Sequence, residues 1–147
     1  MPRGTLEERA KATELAIAHS TGTSGYYRGC GINRELLCTD GVMAVAEEAS
    51  AHWLIDEVGL LKYAAMEDAK VLQGMSDAQH EGRLIVCKLT VDLEKSEGMF
   101  TATAMDIEEP LYEKELEYTD FPLESFKMWL DLYSHKPEWV LYLPSEH

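Results

Sequence analysis

Glu113, Glu115 and Glu117 take every second position of a segment whose other residues are Tyr112, Lys114, Leu116 and Tyr118. On an extended strand, alternate residues share one face at intervals of about 6.6 Å. Carboxylates repeated at that spacing imitate a phosphate backbone and suit the lysines and arginines that grip one. The same row also suits the solvated face of an edge strand, where charge discourages a further strand from adding. It belongs to a longer acidic stretch, Asp106, Glu108, Glu109, Glu113, Glu115, Glu117 and Asp120, relieved only by Lys114. These seven residues are the expected partner-binding surface.

Two Thr-Asp pairs, Thr39-Asp40 and Thr119-Asp120, fall where extended segments are expected to enter helices. Paired carboxylates in unlike surroundings can divide acid and base roles between them. Thr and Asp are also the residues that cap helices, each worth about 1 kcal/mol, and capping is the simpler account. His52, beside Trp53, has no readable nucleophile and is assigned to packing. A pocket around Asp40, His52 and Asp120 is the alternative reading, that of a small enzyme or ligand-binding domain. Cys30, Cys38 and His52 lack the close paired spacings of structural zinc, so no metal is expected and the cysteines read as buried thiols. Phosphate-loop, dinucleotide, metalloprotease and esterase signatures are absent from the sequence. No catalytic residue is assigned and no cofactor is expected.

Such residues need elements to position them. Thr5 with Glu8 forms a capping-box pattern ahead of a helix over residues 5–19, which carries Leu6, Ala10, Thr13 and Ile17 at helical spacing. Residues 20–25 are a breaker-rich loop. Leu36-Leu37-Cys38 is a short extended run leading to a helix with Val42, Val45, Ala46, Ala49 and Trp53 on one face. Residues 51–63 form the next expected helix, and Gln73 to Asp77 read as a loop. The period then changes to two, with expected strands over 83–94, 99–106 and 111–119. Asp120 or Phe121, followed by Pro122, predicts another helix carrying Leu123, Phe126, Leu130 and Tyr133. Pro137 ends it, and Trp139–Leu143 is the expected final strand. Trp53, Trp129 and Trp139 are expected core anchors. The fold class is therefore α+β, with N-terminal helices packed on an antiparallel β-meander, a C-terminal helix and a final strand.

Composition sets the class. The chain has 147 residues, 46% of them hydrophobic, which predicts one globular domain over 1–147 with a core of its own. Three cysteines without a Cys-x-x-Cys predict reduced thiols and a cytoplasmic protein. No apolar run reaches the ~20 residues of a membrane helix, and no membrane partner is expected. There are 27 acidic and 13 basic side chains, a net charge of −14. Residues 1–60 carry a net of −4 and residues 61–147 a net of −10. Such a surface repels nucleic acid, whose binding draws on basic side chains, so direct DNA or RNA binding is not expected.

Five stretches carry a resemblance. They are Gly25-Tyr26-Tyr27-Arg28, Leu37-Cys38-Thr39-Asp40-Gly41-Val42, Ala46-Glu47-Glu48-Ala49 followed by Trp53-Leu54-Ile55-Asp56, Glu117-Tyr118-Thr119-Asp120-Phe121-Pro122-Leu123, and Leu143-Pro144-Ser145-Glu146. In this order they resemble a family of small proteins of unknown function from bacterial, plasmid and phage sequences, over residues 21–147. Gly29 stands where that family tends to place a His, and Cys87 where an aromatic is common. The resemblance brings no activity or cofactor with it. It implies a mobile-element context, in which small acidic proteins often block host defence enzymes. The expected function is thus a non-enzymatic, anti-CRISPR-like inhibitor that mimics nucleic acid on a basic protein surface, such as a CRISPR or other immune effector. A homodimer is compatible with that reading.

Overall fold

The computed structural model describes residues 5–20, 25–28 and 33–146. Five α-helices precede the main run of strands: α1 (Leu6–His19), α2 (Asp40–Glu48), α3 (His52–Gly59), α4 (Leu61–Glu67) and α5 (Ala69–Glu81). The strands are β1 (Tyr26–Arg28), β2 (Leu36–Thr39), β3 (Ile85–Asp92), β4 (Glu97–Ala104), β5 (Tyr112–Leu116), β6 (Ser125–Asp131) and β7 (Trp139–Tyr142). They form one sheet in the order β1-β2-β7-β6-β3-β4-β5. All neighbours are antiparallel except β2 and β7. The α+β class and its N-terminal helices, meander and final strand are as the sequence predicts.

Four local expectations give way; one is Trp129, expected as a core anchor, which lies half-buried on the sheet face turned away from the helices. Residues 51–63 split into α3 and α4. Gln73 to Asp77 lies inside α5, where Gly74 allows a close approach: a Cβ there would meet the Leu111 side chain at 2.8 Å. The helix expected after Asp120 is replaced by a loop and β6. Phe126 and Leu130, four residues apart, satisfy both a helical and a two-residue period. Met128 between them is buried while Ser125 and Lys127 are exposed, which is a strand's alternation. Pairing with β3, from Ile85 opposite Leu130 to Thr90 opposite Ser125, decides it.

One face of the sheet carries the core. Ile85, Cys87 and Leu89, with Phe100, Ala102, Phe126, Met128, Leu130 and Leu141, pack with Val42, Val45, Ile55, Val58, Leu61 and Val71 of the helices. Across β6, β3, β4 and β5, the alternating residues of the other face are exposed or half-buried, except Asp131 at the end of β6, which is buried. That second face is open.

Candidate binding surface

β5 is an edge strand, and its two faces do different things. Lys114, opposite Phe100, turns toward the helices and places its Nζ 2.8 and 3.1 Å from the Glu57 carboxylate oxygens. That hydrogen bond holds the Lys114 pKa above its ordinary value. Glu113 and Glu115, opposite Thr101 and Met99, take the open face and are exposed. Glu117 follows the strand and is also exposed. Its segment is tied back where the Thr119 amide donates to the Ser96 carbonyl at 2.7 Å. Gly98 makes that approach feasible, since a Cβ there would meet the Thr90 carbonyl at 3.0 Å and Thr119 Cγ2 at 3.1 Å.

The β3–β4 hairpin adds two acids to the row. Asp92 and Glu97 are register partners on the same open face. Asp92 Oδ1 accepts the Glu94 and Lys95 amides at 3.1 and 3.2 Å, closing the turn. A shallow cavity of about 510 Å³ is lined by Thr90, Asp92, Glu97, Met99, Glu115 and Glu117 together with Gly98 and Leu116. Four carboxylates from three chain segments thus share one concavity, and none of them makes a salt bridge among the described residues. Asp92 and Glu97 were not singled out by sequence. The signal was available in the turn between two alternating strands, which must place its flanking residues opposite each other.

The other acids of the stretch lie elsewhere. Glu109 bonds Lys70 at 2.8 Å, and that lysine lowers the Glu109 pKa. Asp106 is 4.0 Å from Arg83, and Glu108, between Asp106 and Glu109 in sequence, is exposed. Asp120 lies 3.5 Å from Arg9, whose guanidinium also donates to the Asp120 and Ala49 carbonyls at 3.0 and 2.8 Å. The continuous part of the row is Glu113, Glu115 and Glu117.

The alternative set, Asp40, His52 and Asp120, is split. Asp40 begins α2, whereas the Arg9 bridge holds Asp120 beside Ala49 at the other end of that helix. Nine residues of helix separate those ends by roughly 13 Å. His52 is exposed at the start of α3, and none of the three lines the cavities of about 510, 390 and 190 Å³.

The two Thr-Asp pairs have structural work instead. Thr39 caps α2, its hydroxyl accepting from the Val42 amide at 3.4 Å. The hydroxyl donates to Glu146 Oε1 at 2.6 Å, and the same oxygen accepts the Leu143 amide at 2.9 Å. Glu146 Oε2 accepts the Gly41 amide at 3.3 Å. A Cβ at position 41 would stand 2.7 Å from the Glu146 carboxylate, so any other residue there would push that carboxylate aside. Thr119 does not cap a helix; its hydroxyl accepts the Phe121 amide at 3.2 Å in a tight turn.

Cys38 and Cys87 are buried, and burial pushes the Cys87 thiol up to about 12. Cys30, Gly29 and residues 21–24 of the loop expected over 20–25 lie outside the described residues. Among the described residues there is no group of three or more His, Cys, Asp or Glu side chains that could hold a metal ion. No helix among them is long and apolar enough to cross a membrane.

No curated protein and no solved structure matches the chain. One family does, over residues 11–147, so the likeness begins within α1, ahead of the position the motifs suggest. It takes in the Thr39–Gly41 and Leu143–Glu146 stretches that meet at the start of α2, and the Ala49 and Asp120 stretches that meet through Arg9. The chain belongs to DUF6876, a family of unknown function.

Proposed function

We propose that this is a non-enzymatic binding protein whose acidic edge occupies a basic, nucleic-acid-binding surface on another protein. The observation that carries the reading is the grouping of Glu113, Glu115 and Glu117 with Asp92 and Glu97 on the open side of β3, β4 and β5. None of these carboxylates makes a salt bridge among the described residues, and only Glu113 feels a lysine, Lys70, at longer range, so their charge is available to a partner. The row's spacing of about 6.6 Å suits a surface that otherwise grips successive phosphates. The mobile-element context implied by the sequence motifs makes a host defence effector, CRISPR effectors included, the class of partner proposed. Its location would then be the cytoplasm of a bacterial host.

The test is competition. A purified CRISPR effector loaded with guide RNA is incubated with its DNA target and increasing amounts of this protein. Displacement of DNA that weakens steeply between low and high salt supports the reading, because charge governs encounter at such surfaces. Displacement unaffected by salt, or none across a panel of nucleic-acid-dependent defence effectors, would remove it.

A further inference from the structure

Lys88 on β3 and Lys127 on β6 are register partners on the open face. Directly opposed residues of an antiparallel pair have Cβ atoms about 4.5–5.5 Å apart, and like charges there repel. Arg9, Arg28, Lys62, Lys70, Arg83 and Lys114 each lie within 4.0 Å of a carboxylate. In a chain with 27 acidic side chains, the Lys88 and Lys127 side chains have neither a salt bridge nor a hydrogen bond among the described residues.

Their neighbours on that face define the setting. Thr101 stands opposite Lys88 on β4, and Thr90 and Ser125 form the next pair along β3 and β6. In the other direction Val86 pairs with Trp129, whose ring meets Tyr142 edge-on at a centroid distance of 6.0 Å. Hydroxyls therefore border the two ammonium groups on one side and a half-buried indole on the other, and beyond the indole lies the buried Asp131, whose Oδ1 is taken up by the Tyr133 and Ser134 amides at 2.9 Å. Glu113, two strands away, is separated by about 9.6 Å.

We propose that Lys88 and Lys127 bind the phosphoryl group of a small phosphate ester whose ring packs toward Trp129, a nucleoside monophosphate being the simplest such ligand. Two lysines match a phosphate dianion, and binding one removes the repulsion between them. The ligand must be compact, because further phosphates extended toward β5 would meet Glu113 and Glu115. This site is independent of the acidic edge and of any protein partner.

The test is a nuclear magnetic resonance titration of the full chain at fixed ionic strength with AMP, adenosine and inorganic phosphate. AMP should shift the amides of Lys88, Lys127 and Trp129 saturably, phosphate should compete for the same amides, and adenosine should bind at least about tenfold more weakly. Lys88→Gln and Lys127→Gln should each weaken AMP binding at least about tenfold, while Lys127→Arg retains it. Both glutamine variants should melt no lower than the parent, since each relieves like-charge repulsion, which separates lost binding from lost fold. Equal binding of AMP and adenosine, unchanged AMP affinity in the glutamine variants, or shifts confined to another face would overturn the proposal.

Discussion

Glu146 sits at the start of α2 as though it belonged to that helix, although more than a hundred residues separate them. Its carboxylate receives the Thr39 hydroxyl and the Gly41 and Leu143 amides, and it places negative charge at a helix N-terminus. Glu146→Ala should therefore lower stability by about 1–3 kcal/mol in urea unfolding, since it strips a charged acceptor from three donors. Asp40→Asn should change stability by less than about 0.5 kcal/mol, because Thr39 and not Asp40 supplies the capping oxygen. An Asp40→Asn variant that binds its partner poorly while folding normally would instead restore a functional role to that carboxylate. The capping role of Thr39 was legible from local sequence. Its second partner was not, because nothing local marks a contact across 107 residues. Burial also sets thiol chemistry: with Cys30 replaced by Ser, Ellman's reagent should find no reactive thiol at pH 8 until the protein is unfolded.

Single elements are where period-based reading succeeds or fails. β3 and β4 were legible because a clean two-residue alternation runs through both, and the turn residues between them fix the hairpin. β6 was not, because Phe126 and Leu130 fit two periods and only the β3 register separates them. β5 was legible as an amphipathic strand, and its structure explains why Lys114 sits within an acidic row: it points inward to Glu57. The raised Lys114 pKa gives that ion pair a defined pH range. Its contribution is complete below the ordinary value of 10.5 and is lost as pH rises through the higher folded value. The pair is partly exposed, so Lys114→Met should cost under about 1 kcal/mol at pH 7 and still less once the wild-type lysine has deprotonated. On the other face, Glu113, Glu115 and Glu117 changed together to Gln should leave the fold intact or slightly more stable. The triple variant should associate with a basic partner more slowly and with a shallower salt dependence. The matching Glu7, Glu8 and Glu14 triple on α1 removes equal charge at a distance and should matter much less. Equal losses from both triples would mean that net charge alone acts, and the β5 row would lose its special role.

At the scale of the whole molecule, charge is sorted rather than smeared. The sheet's open face holds carboxylates at the β3–β4–β5 corner and an isolated lysine pair near its middle, while the core face is apolar. Composition alone revealed the excess of acid but not this separation, which depends on strand order: β6 lies beside β3 although the chain visits β4 and β5 first. The separation bears on nucleic acid. A polymer laid across the lysine pair would carry phosphates onto Glu113, Glu115 or the Asp92–Glu97 pair, and each such contact opposes the counterion release that drives binding. A net charge of −14 adds long-range repulsion that physiological salt shortens but does not reverse. The protein should therefore leave duplex and single-stranded DNA unshifted in a gel assay at physiological salt. Raising salt should not create binding, since screening removes repulsion without supplying attraction. A micromolar complex that weakens as salt rises would show that cations govern the surface after all, and would overturn the proposed mimicry of nucleic acid. Failure of the DNA to shift, together with salt-sensitive capture of a basic effector, is the combination that the proposed acidic edge demands.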